Sequence, residues 1–243
     1  MITTRSSFIY GFLVDENNNT FVIDEGSGNI DCVLRKNTYS FTEYAAEVQL
    51  AINTNGTQVY TVTANRDRTL TISASNNFDI KVSGVGVGLS AFPMMGFTTD
   101  MTGTNTYTSD AKAGYEYVPQ YYLQEYAELE QEYRNVHKNE TLSGYVETIV
   151  HNKVKYVSMN IKFITDLDVS GSSITNNQSG VNDVVNFMEY VITGGKIEFI
   201  PDVNDRDLYK TLILENNNKF KLKEERDFRH IYQTGVIKFR EVK

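Results

Sequence analysis

Three groups of residues in this chain have types that could do chemistry: a glycine run, a scatter of histidines with one thiol, and several acidic clusters. The glycine run is "SGVGVGLS", Ser83 to Ser90, with the spacing G-x-G-x-G. A phosphate cradle needs glycine-rich backbone donors that feed a helix N-terminus. Here the preceding strand reads as antiparallel, Phe92-Pro93 interrupts any helix that follows, and the third glycine of a dinucleotide fingerprint is missing. The run therefore reads as a loop. His137, His151 and His230 stand singly, with no second His or Cys at metal-ligand spacing. Cys32 is the only cysteine, so an intramolecular disulfide and a multi-thiolate zinc site are excluded, and a buried inert thiol is expected. The acidic pairs Asp15–Glu16 and Glu224–Glu225 are adjacent and sit in turns. Glycosidase chemistry needs two carboxyl groups roughly 5–9.5 Å apart across a cleft, and solvated surface is the simpler reading of these pairs. "PDVNDRDLY" is rich in Asp but lacks the loop spacing and terminal Glu of a calcium hand. No G-x-S-x-G elbow occurs. No catalytic, cofactor-binding or metal-binding residue is assigned, and no cofactor is expected.

Composition narrows the class further. The chain has 243 residues with 40% hydrophobic and 12% aromatic content, enough for a sizeable core. Its formal net charge is -8, which argues against nucleic acid as a partner, because affinity for phosphate backbones comes from Lys and Arg. The N-terminal apolar patch, Phe8 to Val14, is too short for a signal segment, and no run approaches the roughly 20 apolar residues of a membrane span. A chain made in a reducing cytoplasm, without membrane contact, is the expectation. On that expectation the N-x-[ST] sequons at Asn18, Asn55, Asn139 and Asn177 reflect loop composition.

The elements that must position these residues read as follows. "SSFIYGFLV", "DENNN" and "TFVIDEG" make a strand, turn, strand unit, broken by "GSGN" before "IDCVLRK". In "SFTEYAAEVQLAINTNG", Ser40 and Glu43 form a capping box, Tyr44, Val48 and Ile52 form an apolar stripe widened by Ala45, Leu50 and Ala51, and Asn55-Gly56 is a stop. "QVYTVTAN" and "TLTISAS" alternate as strands about an "NRDR" loop, and "FDIKVSG" reads as a third strand. Residues 115 to 139 are acidic, Tyr-rich and helix-favouring, which predicts a helix from about Tyr121 to Val136. "GYVETIVHN" and "KVKYVSMNIKFITD" predict a hairpin turning near Asn152-Lys153. "GSSITNNQSG" reads as a surface loop, "VNDVVNFMEYVITGG" as a helix stopped by Gly194, and "KIEFIPD", "DLYKTLILE", "FKLKEE" and "TGVIKFREV" as strands. The fold class is α+β and mostly antiparallel β: a helix-on-sheet unit over 1–113, a helical connector over 114–141 and a β-rich domain over 142–243.

One stretch has no chemistry yet stands out. "AFPMMGFTTDMTGTNTYTSD", Ala91 to Asp110, sets Phe92, Met94, Met95 and Phe97 directly before a polar, turn-rich tail. Two roles fit: an intramolecular plug of the sheet, or an anchor in a neighbouring subunit, since aromatic and Met side chains favour interface centres. These four residues are the candidate subunit interface.

The order of a helix like "YSFTEYAAEVQLAIN", then "YTVTAN…TLTISASNNFDIKV", a Gly/Ser-rich break and "MMGFTTDMTGTNTYTSD" resembles a module of tailed-bacteriophage virion structural proteins over about Tyr39 to Asp110. That module ends in a Leu-Gly-Phe-like turn, an Asp-x-x-Gly and a Thr/Tyr/Ser-rich segment. Met95-Gly96-Phe97, Asp100, Gly103, Tyr107 and Ser109 stand at those places, with Met95 replacing the commoner Leu at similar volume. The second half, with "KYVSMNIKFITD", "VNDVVNFMEYV" and "GGKIEFIPD", resembles β-rich tail adaptor or distal-tail proteins. The resemblance implies a non-enzymatic virion component, a homo-oligomeric ring subunit of the tail with other tail proteins as partners. A receptor- or glycan-binding module of a tail fibre or baseplate is the alternative. A cell-wall hydrolase would need a catalytic set that the sequence does not display.

Overall fold

A computed structural model of the chain describes residues 5–85, 89–119, 129–140, 146–162, 164–165, 180–215, 221–224 and 230–242. The described part is mostly antiparallel β with three α-helices, an α+β fold. The first strands are β1 (Ser7–Tyr10), β2 (Leu13–Val14), β3 (Thr20–Asp24), β4 (Asn29–Val33) and β5 (Asn37–Thr38). Helix α1 (Phe41–Asn55) leads to β6 (Tyr60–Ala64) and β7 (Leu70–Ile80), then a 3-10 turn at Val82–Gly84 and the short helix α2 (Phe92–Met95). Next come β8 (Met101–Thr108), β9 (Tyr115–Tyr117), β10 (Leu129–Glu140) and β11 (Val146–Asn160), then helix α3 (Val181–Ile192). The chain closes with β12 (Ile197–Ile200), β13 (Lys210–Leu214), β14 (Lys223–Glu224), β15 (Tyr232–Gln233) and β16 (Val236–Glu241).

Helix α1 forms where the local signals place it. The Glu43 amide donates to Ser40 Oγ at 3.3 Å and the Ser40 amide donates to Glu43 Oε2 at 2.8 Å, which completes the capping box. Tyr44, Ala45, Val48, Ala51 and Ile52 are buried, whereas Leu50 is 48% exposed. At about 100° per residue, Leu50 lies roughly 120° round the helix from Tyr44 and leaves the stripe. The helix covers a sheet in the order β4-β3-β7-β6, with β8 on the other side of β7.

A second sheet runs β10-β11-β16-β13-β12-β1-β9. Strand β1 is its most consequential member. Ser7 pairs with Ile200 and Tyr10 with Tyr115, so the N-terminal strand lies between β12 and β9. Strand alternation then divides its side chains: Phe8 and Tyr10 enter the core under α3, while Ile9 enters the core under α1. Strand β12 does the same, with Ile197 and Phe199 on the α3 side and Ile200 on the α1 side. The strip β1–β12 is therefore a shared wall between two cores.

The strand, turn, strand unit forms as expected, with β1 paired to β12 and β9 and β3 to β4 and β7, but several other expectations are corrected. "FDIKVSG" is no separate strand; its first residues continue β7 through Ile80, past register shifts between Ser73 and Phe78 and between Phe78 and Ile80. In the proposed helical connector, Tyr115–Tyr117 and Leu129–Glu140 are strands, so the helix expected from Tyr121 to Val136 is absent at 129–136; residues 120–128 lie outside the described residues. Pairing of β10 with β11 from Leu129↔Val157 to Glu140↔Val146 overrides the helix propensity of its Glu, Gln and Leu. The expected turn at Asn152-Lys153 is likewise absent, because β11 runs straight through it as one strand paired with β10. Only Tyr156–Asn160 of β11 pairs with β16. From Lys155 back to Val146, β11 has β10 as its sole paired neighbour among the described residues, so the two strands form a ribbon beyond the sheet. The surface loop expected at "GSSITNNQSG" also lies outside the described residues, except Gly180, the N-cap of α3.

Candidate functional site

The residues Phe92 to Phe97 fold as one helical turn ended by Gly96 in the left-handed region, φ +82°. The turn is clamped on both sides. The Ala91 amide donates to the Thr20 carbonyl at 2.8 Å, the Ala111 amide to the Gly96 carbonyl at 2.8 Å, and the Gly114 amide to the Met94 carbonyl at 3.1 Å. Phe92, Met95 and Phe97 point inward and are buried, with the Phe92 ring edge-on to Phe21 and to Phe97 at 6.2 and 6.3 Å. Of the four nominated interface residues, only Met94 is partly accessible: it packs against the same core and also lines the surface.

The rest of the motif also works within the chain. Asp100 accepts from the Ser83 amide at 2.8 Å and from its hydroxyl at 2.6 Å, pinning the 3-10 turn. Tyr107 donates to the Phe78 carbonyl at 2.8 Å across the β7 irregularity. Ser109 accepts from the Leu70 amide at 3.1 Å and donates to the Ala111 carbonyl at 2.9 Å. The polar tail is thus β8, a strand with only β7 as a partner among the described residues.

Met94 and Pro93 form one wall of a cleft of about 780 Å3, which opens between α2, the β2–β3 turn and the outer end of α3. Its floor is aromatic. Tyr10 contacts Tyr115 and Tyr190 with ring centroids 5.7 and 5.5 Å apart. The Tyr190 hydroxyl donates to the Lys196 carbonyl at 3.1 Å, which fixes that ring. Burial, with the charge of Asp183 adding to it, pushes the Tyr10 hydroxyl up to about 12, so it remains a proton donor at neutral pH. Tyr115 is 65% exposed and rests on Gly11, where a Cβ would lie 2.5 Å from a Tyr115 ring carbon. The rim is polar. Asn186 is exposed on α3, and the β2–β3 turn is held by the Asp15 amide donating to Asn18 Oδ1 at 2.8 Å and Asn17 to Asp15 Oδ1 at 2.7 Å. Sequence reading missed this cleft. Its signals were the "GYEYV" tyrosines and Gly11 within "IYGF", and no local pattern joins them.

The other chemical candidates land apart. Cys32 is buried, and burial pushes its thiol up to about 12, so it stays protonated and unreactive. His137 and His151 belong to β10 and β11, and His230 sits in a turn with its amide donating to Glu224 Oε1 at 2.9 Å. Gly86 and Gly88 of the glycine run lie outside the described residues. The Asp-rich turn is tied up internally: Asp202 accepts from the Asn204 amide at 2.8 Å, and Arg66 reaches Asp207 at 3.3 Å. Among the described residues no three His, Cys, Asp or Glu side chains gather to hold a metal ion, and no helix is long and apolar enough to cross a membrane. Compared with known proteins, the chain matches no family model, and no curated protein is significantly similar to it in sequence.

Proposed function

We propose that the chain is a non-enzymatic structural subunit of a bacteriophage tail, a ring-forming adaptor or distal-tail component that assembles with its own copies and with other tail proteins. The observation that carries this reading is the β10–β11 ribbon. An isolated two-stranded hairpin is marginally stable in water and needs a third strand or a packed layer. The ten residues from Val146 to Lys155 extend roughly 30 Å at about 3.3 Å each. In this ladder Val136 pairs with Val150 and Glu140 with Val146. A neighbouring copy that pairs with the β10 edge, which has no second strand beside it among the described residues, supplies a third strand, and head-to-tail repetition of such a contact closes a ring. The module resemblance over Tyr39 to Asp110 points the same way, with Phe92, Met95 and Phe97 acting as its internal plug and the contact carried by the ribbon.

Native mass measurement and particle imaging test the reading. The full chain is expected to form closed rings, whereas replacing residues 134–152 by an Asn-Gly turn gives a folded monomer. A full chain that stays monomeric at high concentration, or a trimer that survives the truncation, overturns it.

A further inference from the structure

We propose that the cleft between α2 and α3 is a binding site for a neutral oligosaccharide. This does not rest on the assembly reading, because the residues that argue for it all belong to this chain. A sugar ring presents an apolar C–H face and a rim of hydroxyls, so its site needs an accessible aromatic ring held in place and fixed polar groups around it. Tyr115 is such a ring: it is 65% exposed, yet it is backed by Gly11 at φ +98° and flanked by Tyr10. An aromatic side chain fixed before the ligand arrives loses little entropy on binding.

The polar rim has unused capacity. The Asn186 side chain has no hydrogen-bond partner among the described residues, so its carboxamide can both donate and accept. Ser90 accepts from the Phe92 amide at 3.2 Å through its oxygen, which leaves its hydroxyl proton to give. Asp15 uses Oδ1 on the Asn17 amide and keeps Oδ2 as an acceptor for a sugar hydroxyl. Charge selects the class of ligand. The cationic group on the lining, Lys112, is bound at 2.8 Å to Asp67, and the carboxylate of Asp15 opposes anions, so a phosphate or nucleotide finds no cluster of cations here. The volume of about 780 Å3 lies inside the range of roughly 300–1,000 Å3 in which small-ligand clefts fall.

The test titrates the full chain by calorimetry with maltotriose, cellotriose and tri-N-acetylglucosamine, and with a proline-rich peptide as the competing class. Saturable binding of at least one trisaccharide, one per chain, is expected. Tyr115→Ala should weaken it by about tenfold or more and Asn186→Ala by a few-fold, each with an unchanged melting temperature, while Tyr115→Phe keeps most of the affinity. The proposal is overturned if no trisaccharide saturates the chain at about 10 mM, if binding is indifferent to both alanine variants, or if the peptide alone binds.

Discussion

The Thr42 amide, in the first turn of α1, donates a 2.6 Å hydrogen bond to Glu198 Oε1 on β12, although 156 positions separate the two residues. This bond joins the helix of one core to the wall of the other. Glu198 is fully buried, with Arg66 3.9 Å from Oε2 as its nearest cation.

Burial raises Glu198 above the ordinary glutamate range, and the Thr42 amide opposes the shift only in part. Between the unfolded value and the higher folded one, the folded state binds more protons. This group therefore contributes stability as pH falls through that window and loses it as pH rises. Glu198→Gln keeps an acceptor for Thr42 and removes the buried charge, so at pH 7 its melting temperature should equal or exceed that of the parent. Glu198→Leu removes the cap and should cost about 1–2 kcal/mol. Thermal melts across pH 5 to 8 compare the three; a Gln variant as unstable as the Leu variant would sink this account of the charge.

Gly96 and Gly103 separate crowding from backbone strain. Both have positive φ, +82° and +88°, but a Cβ on Gly96 would lie 2.4 Å from the Ala111 carbonyl oxygen, while one on Gly103 meets nothing within 4 Å. Gly103→Ala should cost about 1 kcal/mol from the left-handed backbone alone. Gly96→Ala should cost clearly more, since the clamp to Ala111 must open. Urea denaturation of both variants decides, and equal losses would show that the Gly96 contact is not needed.

The plug and anchor roles of the Phe92–Phe97 turn now predict opposite results at adjacent sites. Phe97→Asp places a charge in a site only 1% exposed and should prevent folding, seen as loss of the cooperative melt. Met94→Asp, only partly buried at the cleft wall, should lose some stability but keep a cooperative melt. A Phe97→Asp chain that folds and fails only to assemble would return Phe97 to the subunit interface.

The α1 stripe gives a matched pair. Val48 and Ile52 are fully buried, and their joint replacement by Ala should cost about 3–6 kcal/mol. Leu50→Ala, on the exposed flank, should change stability by less than about 0.5 kcal/mol. Similar losses from the two variants would mean that Leu50 has a partner outside this chain.

What the sequence determined by itself is local. Ser40 and Glu43 cap a helix because three residues bring their groups within bonding distance, and Tyr44, Val48 and Ile52 share a face at any tertiary arrangement. The Asn65–Arg68 reversal between β6 and β7 and the stop at Gly194 were legible for the same reason. Tertiary structure decided the rest. Period-2 patterning says that Phe8 and Ile9 face opposite ways, but only the pairing of β1 with β12 and β9 makes those two faces belong to two cores. Leu129 to Arg134 is rich in helix formers, Leu, Glu, Gln and Arg, and becomes a strand because β11 offers a ladder partner, a gain that no local window contains. The interface reading of Phe92, Met95 and Phe97 depended on whether a pocket existed in the same chain, and the α1 core provides it. The cleft needs Tyr10, Tyr115 and Tyr190 together, and their meeting depends on contacts between distant segments, which only the packed chain specifies.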